Sequence, residues 1–171
     1  KKEYEDMSIV CTAPSKTFNL AGLQISNIFI PNGEMRRTVR REIYNSGYDE
    51  LNAMGMVACK AAYEGGRDWL DELIAYLIGN FAFIRAYLNE NLPEIRLVEP
   101  EGTYLAWLDC GALAMPDDDL KTLIEQKAGL WLDDGPMFGP GGEGFQRVNI
   151  ACPRPVLERA FRQLAQAVRG R

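Results

Sequence analysis

A long amphipathic pattern in the middle of the sequence constrains the fold more than any other feature. From Arg67 to Asn91, apolar residues recur at steps of three and four, which predicts one uninterrupted helix. Gly65-Gly66 precedes this pattern and Leu92-Pro93 follows it, so both ends carry residues that terminate helices. A helix with one apolar face needs a covering layer, and packing on the chain's own sheet is favoured over docking of a partner helix. The apolar stripe consists of Leu70, Leu73, Ile74, Leu77, Phe81, Ile84 and Leu88.

Shorter patterns on both sides of this helix predict an α/β fold in two parts. Residues 1–64 are predicted to be the tail of a larger sheet domain, and residues 67–171 a compact small domain, with Gly65-Gly66 as a hinge. Strands are predicted over residues 7–13, 24–30, 95–98, 103–109, 130–132 and 145–152, and the first of them is expected to be buried. Further helices are predicted over residues 34–46, 50–63, 117–126 and 153–168.

Composition narrows the classes of function. The 171 residues carry a net charge of −5, which argues against nucleic acid or an anionic membrane as the main partner. No apolar stretch reaches the ~20 residues of a membrane span, and the first residues do not resemble a signal peptide. The sequence has no histidine, which excludes Ser-His-Asp and Cys-His catalysis from within this chain. We expect a cytoplasmic protein without a metal site, in which four scattered cysteines, Cys11, Cys59, Cys110 and Cys152, are buried thiols.

A glycine-rich segment over residues 139–144 matches the pattern G-x-G-x-x-G. A dinucleotide-binding fold needs a helix after these glycines, whereas a strand is predicted here. A kinase loop would need a lysine-bearing strand and catalytic residues downstream, and only 27 residues remain after Gly144. The sequence instead favours a loop whose backbone passes close to a ligand or to a neighbouring domain.

One lysine among small hydroxyl residues is the chief candidate for chemistry. Lys16 follows Ala13-Pro14-Ser15, directly after the first predicted strand. Thr12, Ser15 and Thr17 surround this lysine with hydroxyls of a kind that suits a phosphate, and an amine held out of bulk water attacks carbonyl groups readily. A solvated surface lysine is the alternative, and the context of Lys16 alone leaves both open.

An arginine in the last predicted strand is the second candidate. Strand alternation places Arg147 and Asn149 on one face, opposite Val148 and Ile150. An arginine at such a position either pairs with an acidic residue or grips a substrate carboxylate with its planar guanidinium, and Asn149 could support that grip. Arg154, at the start of the last predicted helix, is a competing candidate.

Three segments, in this order, resemble a known family. They are residues 12–23 (TAPSKTFNLAGL), 101–109 (EGTYLAWLD) and 138–154 (FGPGGEGFQRVNIACPR). Together they resemble the C-terminal part of a fold-type-I pyridoxal-phosphate enzyme. More narrowly, they are similar to the cystathionine β-lyase/C–S lyase branch of the class I/II aminotransferases, and the similarity covers nearly the whole chain.

The resemblance implies a role for each candidate. Lys16 would form the Schiff base with pyridoxal 5'-phosphate, Thr12 and Ser15 would contact its phosphate, and Arg147 with Asn149 would bind the substrate α-carboxylate. Residues 1–64 would then be the tail of the large cofactor-binding domain, and residues 67–171 the small C-terminal domain. The resemblance also implies a homodimer.

The implied reaction is β-elimination from a sulfur-containing amino acid, which gives a thiol, pyruvate and ammonia. An aminotransferase is the first alternative, because it would use the same lysine and arginine. Many class I relatives have an arginine where Gln24 stands here, and often a serine where Ala13 stands. The C–S lyase branch commonly lacks this arginine. A second alternative is a folded but non-catalytic piece. The family's other cofactor contacts lie upstream of these motifs, so we expect the 171 residues alone to be inactive.

Overall fold

The computed structural model describes residues 2–171, and side chains from Tyr4 onward. The chain divides into two compact units, Lys1–Leu73 (unit 1) and Ile74–Arg171 (unit 2). The helices are α1 (Lys2–Glu5), α2 (Gly33–Asn45), α3 (Ala53–Gly65), α4 (Arg67–Asn91), α5 (Asp117–Thr122) and α6 (Arg154–Arg169). The strands are β1 (Val10–Thr12), β2 (Asn27–Phe29), β3 (Arg96–Leu97), β4 (Leu105–Asp109), β5 (Asp133–Asp134) and β6 (Phe145–Asn149).

Unit 1 consists of a short β-ribbon followed by helices. Strands β1 and β2 pair antiparallel, with Val10 opposite Phe29. Helices α2 and α3 each begin after an asparagine, Asn32 and Asn52, whose side chain accepts hydrogen bonds from backbone N–H groups of the first turn. Such caps satisfy donors that a helix start leaves unpaired, which explains why α3 begins at residue 53 and not at the predicted residue 50.

Both strands of the ribbon are shorter than predicted, and the expected burial of residues 7–13 is wrong. All three residues of β1 are exposed, and two of the three residues of its partner β2 are exposed as well, so pairing within the ribbon does not bury them. Strand β2 begins only at Asn27, because residues 21–23 form a 3₁₀ turn that ends at Gln24 in the left-handed conformation, φ 51°.

The prediction of the long helix is confirmed from Arg67 to Asn91. Its apolar stripe is buried from Leu77 to Leu88, whereas Ile74 is exposed. Helices α2 and α6 are confirmed to within one residue at each end. None of the helices described for residues 2–171 combines the length and apolar character needed to cross a membrane.

Unit 2 is built around a four-stranded antiparallel sheet in the order β3-β4-β6-β5. Strand β4 lies at its centre and shows strict alternation, with Ala106 and Leu108 buried and their neighbours partly exposed. Helices α4 and α6 contribute many of the other large buried side chains, and the rest come from α5 and from residues that directly follow α4 and β6. This single apolar core fits the predicted small domain. The largest of these side chains are Ile84, Leu88, Leu92, Leu108, Leu120, Ile150, Leu157 and Leu164.

Three predictions in unit 2 need correction. The strand expected at residues 130–132 lies instead at Asp133–Asp134, since these two residues pair with Arg147 and Gln146, while Trp131 is 89% exposed. The helix expected over residues 117–126 is α-helical only to Thr122 and continues as a π-helical turn to Lys127. Strand β6 ends at Asn149, because that side chain accepts a hydrogen bond from the Ala151 N–H and turns the chain. The strands predicted at residues 95–98 and 103–109 are confirmed in shorter form.

The division into two units falls inside α4, whereas the predicted domain boundary lies just before it. Gly65 ends α3 and Gly66 connects it to α4, as the sequence predicted for the end of that helix. The boundaries 1–64 and 67–171, and the role of Gly65-Gly66 as a hinge, stay predictions.

Candidate active site

Lys16 lies in a turn that local hydrogen bonds hold in place. The turn, here called the lysine turn, comprises residues 15–19 and follows β1. The Phe18 N–H donates to the carbonyl of Pro14, and the Leu20 N–H donates to the carbonyl of Ser15, each at 2.9 Å. Asn19 adopts a left-handed φ of 55°, which asparagine tolerates better than most residues. Because Pro14 is buried, the turn starts from a fixed point.

The side chain of Lys16 is exposed, and among residues 4–171 no acidic group forms an ion pair with it. Its neighbours on the turn face an open cleft of about 260 Å³, lined by the turn and by helices α3 and α4. The lining residues are Ala13, Pro14, Thr17, Phe18, Ala62, Tyr63, Arg67 and Leu70. Because no acidic group among the described residues holds it, the amine is available to a carbonyl group. It is nevertheless exposed, whereas the sequence suggested an amine held out of bulk water.

The two hydroxyl residues predicted to contact a phosphate lie on either side of Pro14. Thr12 is the last residue of β1, pairs with Asn27 and is exposed. Ser15 is half-buried, and its carbonyl is used within the lysine turn. Both therefore share a short segment with Lys16, as the sequence required.

Arg147 is held by an acidic residue that sequence reasoning did not single out. Its Nε and Nη2 both donate to Oδ2 of Asp133, at 3.0 and 2.7 Å. Its guanidinium also lies over the ring of Phe138, 4.5 Å from the ring centre. A guanidinium has five N–H donors, so this ion pair leaves several free for another acceptor. The structure thus contains the ion pair that the sequence offered as one of two alternatives, and it leaves N–H donors for the second, a carboxylate.

Asn149 lies on the same face of β6 as Arg147, and the alternation predicted for this strand is confirmed by buried Gln146 and Val148. Its Oδ1 is occupied by the Ala151 N–H at 2.9 Å, so only its amide Nδ2 could serve a ligand. The exposed amide of Asn149, two residues after Arg147 on the same face, can donate a hydrogen bond to a carboxylate.

Arg154 is anchored elsewhere in unit 2. Its Nε donates to Oδ1 of Asn80 at 2.9 Å, and its guanidinium lies 5.0 Å from the ring centre of Phe83. Asn80 is fully buried, and its Nδ2 donates to the carbonyls of Ile150 and Cys152. Asn80 thus fixes the segment that joins β6 to α6, and Arg154 completes that network. A lone asparagine within the buried face of α4 was the signal that sequence reasoning missed.

The glycine-rich loop, which spans residues 135–144 and includes the G-x-G-x-x-G segment, approaches its own backbone closely. A β-carbon on Gly135 would collide with the carbonyl of Gly142, and one on Gly142 with the carbonyl of Gly135, so both positions require glycine. At the end of the loop Gly144 has a φ of +75°, and its carbonyl accepts from the Cys110 N–H at 2.8 Å. The sequence predicted that the backbone of this loop passes close to a ligand or a neighbouring domain. In the structure Gly135 and Gly142 of the loop pass close to each other.

The expected burial of all four cysteines is only partly correct. Cys59 and Cys110 are buried, Cys152 is half-buried, and Cys11 on β1 is exposed. Burial raises the pKa of the Cys110 thiol to about 12, which keeps it protonated at neutral pH. Within residues 4–171 no cluster of three or more acidic or cysteine side chains could hold a metal ion.

The structure therefore groups the candidate residues into two sets. Lys16, Thr12 and Ser15 lie together in unit 1, and Arg147 and Asn149 lie together on β6 in unit 2. Asp133 could have been suspected from the Asp133-Asp134 pair just before the glycine-rich loop. Phe138 carries no comparable signal, because its place over the guanidinium depends on the path of that loop.

Known proteins with similar sequences and structures cover nearly all of this chain. It is 39% identical over 166 residues to cystathionine beta-lyase PatB of Bacillus subtilis. The aligned region covers 97% of this chain and 43% of PatB. It is 36% identical over 161 residues to Protein MalY of Escherichia coli K12, covering 93% of this chain and 41% of MalY. The crystal structure of cystalysin from Treponema denticola, which contains pyridoxal 5'-phosphate, matches with a TM-score of 0.94. That match has 34% identity over 99% of this chain and 43% of cystalysin. No protein-family model matches the chain.

The α/β fold and these likenesses define the class as that of the aminotransferase-like, fold-type-I pyridoxal-phosphate enzymes. The chain belongs to the cystathionine β-lyase/C–S lyase branch of that class, so the resemblance predicted from the three motifs is confirmed. It spans less than half the length of the relatives that it matches.

Proposed function

We propose that the chain is part of a pyridoxal-5'-phosphate-dependent C–S β-lyase acting on a sulfur-containing amino acid of the cystathionine type. The observation that carries this proposal is Lys16, an exposed amine on a fixed turn, in a chain 39% identical to a cystathionine β-lyase over 97% of its length. Among the sequence relatives, those named as aminotransferases are more distant, at 23% identity for a probable N-acetyl-LL-diaminopimelate aminotransferase of Bacillus subtilis. A solved structure named as a putative aminotransferase, from Clostridium difficile 630, is 39% identical over 98% of this chain, so an aminotransferase is retained as the alternative.

The residues around Lys16 suit this cofactor chemically. The amine has no ion-pair partner among residues 4–171, and it is flanked by the hydroxyls of Thr12 and Ser15. An amine matches the aldehyde of the cofactor, and hydroxyl donors match its phosphate. In our proposal Lys16 holds the aldehyde, and Thr12 and Ser15 supply part of the phosphate contacts. When bound, the cofactor would supply a ring that accepts electrons from the substrate α-carbon.

In the proposed reaction this chain binds the substrate at one end and moves a proton at the other. Arg147 binds the α-carboxylate through N–H groups that Asp133 leaves free, and the amide Nδ2 of Asn149 adds a further donor. Asp133 and Phe138 limit the rotation of the guanidinium, so less entropy is lost when the carboxylate binds. The free amine of Lys16 accepts the proton from the α-carbon of the substrate.

Loss of that proton allows the bond between the β-carbon and sulfur to break. The sulfur leaves with the bonding electrons, gains a proton and departs as a thiol. Addition of one water to the remaining carbon skeleton gives pyruvate and ammonia. An aminotransferase would instead use Lys16 to return the proton, without breaking the bond to sulfur.

The deciding experiment is an assay of a protein of full family length that contains these 171 residues, with cystathionine as substrate. We expect stoichiometric thiol and pyruvate without an added keto acid. Amino-group transfer that depends on a keto acid, with no thiol released, would replace the lyase proposal by the aminotransferase alternative.

Two substitutions test the roles of the residues. Lys16→Ala should abolish turnover and prevent borohydride from fixing the cofactor to the peptide that contains residue 16. Arg147→Ala should lower kcat/KM for cystathionine by at least about tenfold, mainly through KM, since a charged hydrogen bond contributes roughly 1.5–3 kcal/mol. Arg159→Ala, an exposed arginine in α6, is the matched control and should leave both constants unchanged. A change of kcat/KM below about twofold in Arg147→Ala would show that Arg147 does not bind the substrate α-carboxylate.

The 171 residues by themselves should bind pyridoxal 5'-phosphate weakly or not at all, because they supply less than half the length of relatives such as PatB. A stable visible absorption band from the chain alone, fixed by borohydride onto Lys16, would contradict this expectation.

We further propose that the protein of full length is a cytoplasmic homodimer, as the family resemblance implies. Sedimentation equilibrium of the full-length protein tests the dimer, and cell fractionation tests the compartment. A monomer that retains full activity would contradict the first, and recovery in a secreted fraction the second.

A further inference from the structure

The lysine turn contacts the junction between α3 and α4 through one aromatic side chain. Phe18 lies two residues after Lys16, and its ring stacks on Trp69 of α4, with ring centres 5.8 Å apart and an interplanar angle of 28°. All of these residues belong to unit 1.

Gly66 makes this contact possible. A β-carbon at residue 66 would lie 2.5 Å from Cε1 of Phe18 and 2.5 Å from the carbonyl oxygen of Ala62. Its φ of −86° is open to any residue, so glycine is required for space and not for backbone conformation. The Leu70 N–H donates to the Gly66 carbonyl at 3.0 Å, which fixes Gly66 at the start of α4.

The adjacent glycine provides the contrast. A β-carbon on Gly65, the last residue of α3, would meet no described heavy atom within 4 Å outside the backbone of its own helix. The ring of Phe18 is therefore packed against the second glycine and not against the first.

We propose that Phe18, Gly66 and Trp69 form a latch that positions the Lys16 amine. The main-chain hydrogen bonds of the turn fix its shape, and the latch fixes its orientation on the α3–α4 junction. These three are positioning residues, since none of them needs to touch the substrate. The proposal rests on the proposed function of Lys16, and it names the residues that hold that amine in place.

A first experiment tests the latch without any cofactor, on the 171-residue chain. Trypsin cleaves after Lys16 only when the turn leaves its folded orientation, so the initial rate of cleavage there, relative to that after Arg159, reports the latch. Phe18→Ala and Gly66→Ala should raise this ratio at least about tenfold. Gly65→Ala, the matched control, and Trp69→Phe, which keeps a stacking ring, should leave it within about twofold of wild type.

A second experiment uses the full-length protein with its cofactor bound. Displacement of a reacting group by about 1 Å can cost up to ~100-fold in rate, so Phe18→Ala should lower kcat by about 10- to 100-fold. KM should stay within about twofold, because Arg147 is untouched. The pH midpoint of the visible band of the lysine-bound cofactor should also shift, a change that a general loss of stability would not produce.

The outcomes separate the two proposals. Wild-type cleavage ratios and pH midpoints in both Phe18→Ala and Gly66→Ala would overturn the latch. If Phe18→Ala fails to fold, Phe18→Leu decides by the same two readouts, with wild-type values again overturning it. A full-length wild-type protein that takes no cofactor at Lys16 would overturn the proposed function, while the cleavage ratios would still decide the latch.

Discussion

The two units of the molecule differ in how completely they bury their apolar residues. Unit 2 contains the four-stranded sheet and most of the buried hydrophobic side chains, with Ile84 and Ala106 fully inaccessible. Unit 1 has a two-stranded ribbon and buries few large side chains, among them Ile25 and Ile30. Many of its apolar side chains are exposed, including Ile9, Val10, Ile28, Phe29, Met54, Val57 and Tyr63.

This difference separates two tasks. Unit 2 carries Arg147 on β6, an inner strand that pairs with β4 and β5 in a sheet with its own core. The position of Arg147 therefore depends on the stability of that unit. Unit 1 carries Lys16 on a turn whose order comes from a few local hydrogen bonds and one aromatic contact. Since apolar burial is the main driving force for folding, we expect the two units to differ sharply in intrinsic stability.

The largest expected effect is on folding of the separated parts. Residues 67–171, which keep α4 whole, should unfold cooperatively by circular dichroism, because the core of unit 2 lies within them. Residues 1–66 should lack a cooperative transition. Comparable unfolding midpoints for the two parts would contradict the expected difference in stability between the units. Cooperative unfolding of residues 67–171 would support the predicted domain boundary.

Core truncation should affect the units unequally. Ile84→Ala removes a side chain with no exposed area and should lower the free energy of unfolding by about 2–5 kcal/mol. Val57→Ala, at a helix residue that is 65% exposed, should change it by less than about 0.5 kcal/mol. Urea titration of the 171-residue chain measures both, and an equal loss at the two sites would contradict the comparison.

Loss of the buried amide of α4 should have an intermediate effect. Asn80→Ala leaves the carbonyls of Ile150 and Cys152 without their donor and should cost roughly 1–3 kcal/mol of stability. Asn89→Ala, an exposed asparagine in the same helix, is the control and should stay within about 0.5 kcal/mol. The same urea titration decides, and similar values for the two variants would show that Asn80 does not anchor the segment.

The smallest effect is on thiol reactivity. At pH 8 a disulfide reagent should modify exposed Cys11 quickly and Cys110 only as slowly as unit 2 opens, since Cys110 is buried and its pKa is raised to about 12. Because the folded state keeps this thiol protonated, stability should also fall as pH rises from 9.0 towards 12. Mass spectrometry after timed quenching would detect the order, and faster labelling of Cys110 would reverse the assignment.

Much of the architecture could be read from periodicity and from terminating residues. The limits of α4 follow from its stripe and from Gly65-Gly66 and Leu92-Pro93, which act locally. The strand ends were less accessible, because they depend on pairing partners. Strand β5 formed at Asp133–Asp134 and not over residues 130–132, since the side chains opposite are Arg147 and Gln146.

The candidate site shows the same division. Lys16, its flanking hydroxyls and the face of β6 that bears Arg147 could be named from the sequence, because each depends on residues close by in the chain. Asp133 and Phe138 around Arg147, and Trp69 and Gly66 around Phe18, could not, because folding brings them together from separate segments.

The sequence by itself determined the longer helices α2, α4 and α6, the alternation of the strands, the family and the candidate lysine and arginine. These properties depend on short-range order along the chain, on hydrogen bonds within a turn and on the identity of ordered motifs. The tertiary structure alone decided which acidic residue meets Arg147, which asparagine is buried and where glycine is needed for space. Those outcomes depend on distances between segments that are remote in sequence, and no local pattern encodes such distances.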